Sequence, residues 1–138
     1  MKKIMIASST AFYNEIDKIS NFFKENNYEI IYPNGYNEDY EEYDDITKQY
    51  KLFYTMSKEK ISKADELLVL NFTKTKNNKT LNNYIGPSTF LEMYEAFMNN
   101  KKIYLYTNLP DEDHILYDDI KAMNPICLNK NIEEIIND

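Results

Sequence analysis

Apolar residues along this chain fall into two kinds of pattern, which alternate through the sequence. Short continuous apolar runs have the length of buried strands, whereas longer stretches repeat their apolar residues every three or four positions, as helices do. The run DELLVLNF is apolar through its middle, which is typical of a central strand covered on both faces. Five strands are predicted: Lys2–Ser8, Tyr28–Pro33, Asp65–Phe72, Lys102–Tyr106 and Pro125–Leu128.

Stretches with helical period separate these strands. The first of them places Ile16, Ile19, Phe22 and Phe23 on one face. The predicted helices are Tyr13–Asn26, Ile46–Lys63, a helix that follows the Gly86-Pro87 turn, a short helix within Asp111–Met123, and Ile132–Ile136. Two long connections show no clear period and are predicted as loops: the polar Thr73–Asn83, and the acidic, tyrosine-rich Asn34–Asp45. The second is either a lid or a solvated, partly mobile insertion.

Alternating strands and helices predict an α/β fold, because right-handed crossovers place helices on both faces of a parallel sheet. We therefore expect a three-layer sandwich with a five-stranded, mostly parallel sheet, flavodoxin-like or Rossmann-like. At 138 residues the chain is predicted to form one domain, residues 1–138.

Ligands of such folds bind at the carboxyl ends of the strands, near the point where the strand order reverses. The residues at these ends are therefore the candidates for substrate contact. They are Ser8, Ser9 and Thr10 after the first strand, Asn71 after the third, Tyr84, Gly86, Ser88 and Thr89 in the following turn and helix start, and Thr107 and Asn108 after the fourth.

Charge and composition narrow the function. The net charge is −7 and all 16 basic residues are lysine, which disfavours nucleic acid as a partner. Without arginine, an anion site must use backbone N–H groups, hydroxyls or lysine. No apolar run reaches the length of a membrane span. No signal peptide is expected, since ISNFFKEN stands where an apolar run and cleavage site would be needed, so the cytoplasm is the predicted compartment.

Cofactor and metal chemistry find little support. The only glycines are Gly35 and Gly86, so neither GxGxxG nor a P-loop is present. His114, the single histidine, is expected at the surface without partners for a triad or a zinc site. Cys127, the single cysteine, is expected to be a small buried hydrophobic residue. We therefore predict no cofactor and no metal.

The segments ADELLVLN and YIGPSTFLEMYEAF, the latter followed by KKIYLY, resemble the nucleoside deoxyribosyltransferase superfamily, which includes nucleoside 5′-monophosphate N-glycosidases. The resemblance implies that Glu92 is a nucleophile for N-glycosidic bond chemistry on a nucleoside or nucleoside monophosphate. It also implies a homo-oligomer. The helix dipole would keep Glu92 ionised, and Tyr13 would line the sugar or base pocket. Ser8, Ser9, Ser88 and Thr89, with the helix N–H groups, would hold a phosphate.

Two alternatives remain open at this point. Thr89-Phe90-Leu91-Glu92 also fits a capping box, in which the Glu92 carboxylate would accept from a backbone N–H instead of doing chemistry. Members of the superfamily also carry two further aspartates, whose places here fall near Gly86 and Ser57. A second carboxylate would then come from Asp39, Glu41, Glu42, Asp44 or Asp45. Without one, a hydrolase or a non-catalytic nucleotide-binding sensor is favoured over base transfer.

Overall fold

The structure is a computed structural model that describes residues 1–137. Within these residues the chain forms seven strands: β1 (Lys3–Ser8), β2 (Glu29–Ile31), β3 (Glu66–Leu70), β4 (Lys74–Lys76), β5 (Lys79–Leu81), β6 (Lys102–Leu105) and β7 (Ile126–Cys127). The same residues form five α-helices: α1 (Ile16–Glu25), α2 (Ile46–Lys63), α3 (Pro87–Met98), α4 (Tyr117–Ala122) and α5 (Glu134–Asn137).

The main sheet has the strand order β2-β1-β3-β6-β7, and each neighbouring pair is parallel. Numbering only the strands of this sheet gives the order 2-1-3-4-5, which is the flavodoxin-like arrangement. The predicted α/β fold with a five-stranded parallel sheet is therefore confirmed. The strand order reverses between β1 and β3, so the carboxyl ends of these two strands border the crevice where ligands of such folds bind.

Both faces of the sheet are covered, as the continuous apolar runs require. Alternate residues of β1 point to opposite faces, so Met5 packs with Ile61 of α2 and Met93 of α3 on one side. On the other side, Ile6 packs in the cluster that contains Phe23 of α1. The three layers are thus α2, α3 and α4, then the sheet, then α1 and α5.

The first helix begins later than its pattern predicts. Residues Thr10–Glu15 form a 3₁₀ helix, and the α-helix starts only at Ile16. The Ser9 side chain accepts a hydrogen bond from the Ala11 N–H at 3.3 Å and caps the 3₁₀ segment. Tyr13 is therefore held in a tight turn beside the end of β1 rather than on an α-helical face.

The polar segment Thr73–Asn83 was predicted as a loop, and this is wrong in part, because β4 and β5 pair there as an antiparallel hairpin. Its two turn residues, Asn77 and Asn78, have φ values of 52° and 61°, which fit a type I′ turn. Lysine and threonine alternate on both sides of Asn77-Asn78, and this is the sequence pattern of a hairpin, although each strand is only three residues long.

The acidic segment Asn34–Asp45 is irregular, as predicted, and packs against α2. Tyr40 contacts Phe53 edge to face, with ring centroids 5.1 Å apart. The segment ends at Asp45, whose carboxylate accepts from the Thr47 N–H and starts α2. Among residues 1–137, no helix is long and apolar enough to cross a membrane.

Candidate functional site

A cavity of about 710 Å³ opens at the carboxyl edge of the sheet. Its walls are the end of β1, the segment after β2, one face of α2, and the turn that leads into α3. This volume is within the range of small-molecule sites, and the position is the crevice that the strand order defines. The cavity is therefore the candidate site.

Nine of the residues predicted as catalytic or substrate-binding line this one cavity. They are Ser8, Ser9, Thr10, Tyr13, Tyr84, Gly86, Ser88, Thr89 and Glu92. They come from the end of β1 with the 3₁₀ helix, and from the turn and first half of α3. The topology thus brings together residues that lie about 80 positions apart in the sequence.

Asn71 is placed differently from the prediction. Its side chain is fully buried and does not line the cavity. The Nδ2 atom donates to the Asn108 carbonyl at 2.8 Å, and Oδ1 accepts from the Thr107 N–H at 3.0 Å. Asn71 therefore joins the loops that follow β3 and β6, and its amide is already used by the protein.

Glu92 lies in the second turn of α3 and is 9% exposed. Its Oε2 accepts a hydrogen bond from the Ser57 hydroxyl of α2 at 2.8 Å. Thr89 cannot be the N-cap, because α3 begins at Pro87 and Gly86 is the cap residue, with no side-chain hydrogen bond. The capping-box alternative is therefore wrong, and the carboxylate faces α2 and the cavity instead.

Burial raises the pKa of Glu92 to about 7. The hydrogen bond from Ser57 and the positive charge of Lys60 both act to lower it, but desolvation is the larger effect. The expectation that the helix dipole keeps this group ionised is not supported, since Glu92 is the sixth residue of α3 and the dipole acts mainly on the first turn. Near neutral pH, the carboxyl group therefore exists in both protonation states.

Tyr13 forms part of the same wall. Its hydroxyl donates to the Asn34 carbonyl at 2.8 Å. Burial raises the pKa of Tyr13 to about 12, and the nearby carboxylates of Glu92 and Glu38 add to the effect. The phenol is therefore neutral at physiological pH and serves as a hydrogen-bond donor.

One face of α2 supplies an aromatic wall that the sequence interpretation missed. Tyr50, Phe53, Tyr54, Ser57 and Ile61 follow one another at intervals of one, three or four residues and all line the cavity. This spacing was visible in the sequence as one helical face. Nothing in the sequence indicated that the face borders a cavity rather than solvent or core.

The opposite wall offers hydrogen-bond donors for an anion. The first turn of α3 carries no side-chain cap, and Pro87 has no N–H, so the Ser88 and Thr89 N–H groups have no acceptor within the helix. The hydroxyl of Ser8 donates to the Ser9 carbonyl at 3.0 Å. Lys58 also lines the cavity.

The carboxylates proposed from the acidic segment do not reach the site. None of the five lines the cavity: Asp39, Glu41, Glu42, Asp44 and Asp45. Glu41 instead accepts from the Tyr43 hydroxyl at 2.8 Å. The second carboxylate on the cavity wall is Glu95, three residues after Glu92 on the same helix, which the sequence interpretation did not consider.

His114 is half-buried rather than at the surface as expected. Its Nδ1 accepts from the Leu116 N–H at 3.0 Å, so the proton is on Nε2, which donates to the Ile85 carbonyl at 3.0 Å. His114 thus holds the turn that precedes α3. Across residues 1–137, no group of three or more His, Cys, Asp or Glu side chains is arranged to hold a metal ion.

Comparison with known proteins finds distant similarity among solved structures. No protein-family model matches the chain, and no curated protein does. Among solved structures, the chain is similar to the CMP N-glycosidase BcmB of Clostridium botulinum, at 19% sequence identity and a TM-score of 0.45. The similarity covers 75% of this chain and 70% of that chain.

Proposed function

We propose that this protein cleaves the N-glycosidic bond of a nucleoside or nucleoside monophosphate, with Glu92 as the nucleophile. The observation that carries the proposal is the buried Glu92 carboxylate on the wall of an aromatic cavity at the switch point of the sheet. A site of this kind combines a reactive carboxylate with ring surfaces that stack on a base. The sequence resemblance described above points to the same reaction.

The chemistry requires Glu92 in its ionised form. An oxygen lone pair of the carboxylate forms a bond to the anomeric carbon as the bond from that carbon to the base nitrogen breaks. The base nitrogen keeps the electron pair and takes up a proton. Water then attacks the same carbon, the ester bond to Glu92 breaks, and the carboxylate is restored with release of the free sugar and a proton.

The surrounding groups suit these two steps. Ser57 donates a hydrogen bond that favours the ionised carboxylate, and Lys60 adds a positive charge. Glu95 is the other carboxylate on the wall, and we assign it the role of proton donor to the departing base. Tyr50 and Tyr54 offer faces for the base.

A 5′-phosphate would bind at the opposite wall. The N–H groups of Ser88 and Thr89 at the start of α3 supply donors and the positive end of the helix dipole. Ser8 and Ser9 lie on the same wall, where the Ser8 hydroxyl already donates to the Ser9 carbonyl, and Lys58 of α2 lines the cavity from the other side and supplies positive charge. This arrangement needs no arginine, which fits the composition of the chain.

The proposal is tested by incubating wild type and Glu92→Gln with a panel of nucleosides, deoxynucleosides and their monophosphates, and measuring free base by chromatography. We expect release by wild type and a loss of at least about a thousandfold in Glu92→Gln, because the nucleophile is removed. Glu59→Gln, a change on the exposed part of α2, is the charge-matched control. Release by both variants at the wild-type rate would refute the role of Glu92.

Base transfer is separated from hydrolysis in the same assay by adding a second free base. A transferase forms a new nucleoside from that base, whereas a hydrolase gives free sugar whatever base is added. Release that is unchanged by the second base assigns hydrolysis.

A second candidate function is a nucleotide sensor that binds without turnover. It is favoured by Ser57 and the Gly86 turn, which occupy the places where the superfamily carries aspartates. A sensor would show thermal stabilisation by one compound of the panel with no release of base. Such a result would refute the glycosidase for those compounds and support the sensor.

A further inference from the structure

A chain of two hydrogen bonds connects the segment after β2 to Glu92. The Asn34 Nδ2 atom lies 2.9 Å from the Ser57 Oγ, and that Oγ lies 2.8 Å from the Glu92 Oε2. Asn34 stands three residues beyond the end of β2, whereas Ser57 is in α2 and Glu92 in α3. The bonds therefore link three elements that border the cavity.

The orientation of the Asn34 amide is fixed by a third contact. Its Nδ2 also lies 3.0 Å from the backbone carbonyl of Phe53. A carbonyl oxygen only accepts, so the atom that faces it must be the amide nitrogen. The same nitrogen therefore donates to Ser57, and Ser57 can only accept from Asn34.

The direction of the second bond follows. A serine hydroxyl has one proton, and with its Oγ accepting from Asn34, that proton is directed to Glu92. Serine and threonine in helices usually donate instead to the carbonyl four residues earlier. Ser20 and Thr55 in this chain do so, at 2.8 Å and 2.7 Å. For Ser57 the corresponding carbonyl is that of Phe53, which Asn34 already occupies.

We infer that Asn34 is a positioning residue that holds the Ser57 hydroxyl in the orientation that donates to Glu92. The Glu92 Oε2 is then always engaged, and Oε1 is the oxygen left for the sugar carbon or for a proton. The backbone of Asn34 is held by Tyr13, whose hydroxyl donates to the Asn34 backbone carbonyl at 2.8 Å. The catalytic consequence rests on the proposed function, but the hydrogen-bond relay itself does not.

The charged and titratable groups that act on Glu92 are few. Lys60 of α2 lowers its pKa, and Tyr13 of the 3₁₀ helix interacts with it. Lys60 is paired with Glu38 at 2.6 Å. Removing a neutral side chain at Asn34 or Ser57 leaves all of these charges in place, so an upward shift of the Glu92 pKa reports the lost hydrogen bond, whereas water admitted by the smaller side chain would shift the pKa downward.

The test is to titrate the Glu92 side-chain carboxyl carbon by ¹³C NMR in wild type, Asn34→Ala, Ser57→Ala and the double variant. Each single change should lower the ionisation constant of Glu92 by about tenfold, since the ionised form loses its donor. The double variant should show no further change, because both substitutions remove the same bond. Ser57→Thr keeps the hydroxyl and should restore the wild-type titration.

Ser62→Ala is the matched control, because that hydroxyl lies on the same helix and donates only to the Glu59 carbonyl, at 2.6 Å. Asn34→Ser, whose side chain is too short to span to α2, replaces Asn34→Ala if the latter does not fold. The inference is overturned if Ser57→Ala shifts the titration and both Asn34 variants do not. It is also overturned if none of them shifts it.

The assay of base release tests the proposed function independently of the titrations. If wild type releases no base from the panel but the titrations shift as expected, the relay stands and the glycosidase is refuted. If wild type is active, both single variants should move the low-pH limb of kcat/KM upward by about one pH unit, and Ser57→Thr should return it. A lower kcat/KM with an unmoved limb would show a purely structural role and overturn the inference.

Discussion

Replacing Glu92 by glutamine should stabilise the protein in a pH-dependent way. Glu92 has a pKa of about 7 in the folded chain because of burial, against an ordinary value of 4.5. A carboxyl group with a raised folded pKa costs no stability below 4.5, where it is protonated in both states. As the pH rises from 4.5 to 7, the unfolded chain loses its proton first, so the folded state loses stability, and above 7 the loss is complete.

The difference between the two pKa values corresponds to about 3 kcal/mol of folding free energy. Glutamine keeps an oxygen that accepts from Ser57 and has no charge to bury. We therefore expect Glu92→Gln to unfold about 10 °C higher than wild type at pH 8, while the two proteins differ least near pH 4.5. The change between the two pH values isolates the ionisation from any pH-independent effect of the substitution.

Thermal unfolding followed by circular dichroism at pH 4.5, 6, 7 and 8 measures this difference, with Glu59→Gln as the exposed control. The reasoning is refuted if the difference between wild type and Glu92→Gln is the same at pH 4.5 and pH 8. It is refuted more strongly if wild type gains stability relative to Glu92→Gln as the pH rises, since that would require a lowered pKa.

Three further predictions concern other parts of the site and fold. If Glu92 is the nucleophile, kcat/KM for base release should rise about tenfold per pH unit as the pH approaches about 7 from below, because the carboxylate must be ionised, whereas a kcat/KM that falls over the same range would show that the protonated form of Glu92 is active. Asn71→Ala should lower the free energy of unfolding by about 1–3 kcal/mol in urea melts, because the buried Thr107 N–H loses its acceptor; a change under 0.5 kcal/mol would contradict this. Asn78→Gly should raise the same quantity by about 0.5 kcal/mol, because glycine adopts the observed positive φ without strain, and a loss would contradict the turn assignment.

The sequence was sufficient to predict the architecture because the signals for it are local. Each buried strand is a continuous apolar run, and each helix has its own period, so their alternation implied a parallel sheet with two covered faces. Ligands of such folds bind at the carboxyl ends of the strands, and this rule correctly predicted that Ser8 and the turn at Gly86 line one cavity. Asn71 also lies at the carboxyl end of a strand, but its side-chain amide is hydrogen-bonded to Thr107 and Asn108 of the loop after β6. These tertiary contacts are not visible in the sequence.

The environment of Glu92 could not be predicted in the same way, because it depends on distant residues. Ser57 is 35 positions away in the sequence, and its contact with Glu92 depends on how α2 packs against α3. The helical period of α2 showed which of its residues share one face, but it did not show that this face lines a cavity. The capping-box pattern was misleading because α3 starts at Gly86-Pro87, earlier than Thr89, with proline at the favoured first helical position.

The pKa of Glu92 is raised chiefly by burial, and its carboxyl group lies on the wall of the same cavity as Tyr50, Phe53 and Tyr54 of α2. Occupation of the cavity and ionisation of Glu92 are therefore expected to be linked. A ligand that covers the cavity removes more water from Glu92 and raises its pKa further, unless the ligand itself brings positive charge near the carboxylate. If the proposed reaction takes place, the positive charge that develops on the sugar ring as its base departs is such a charge, and it would favour the ionised form of Glu92 in the transition state.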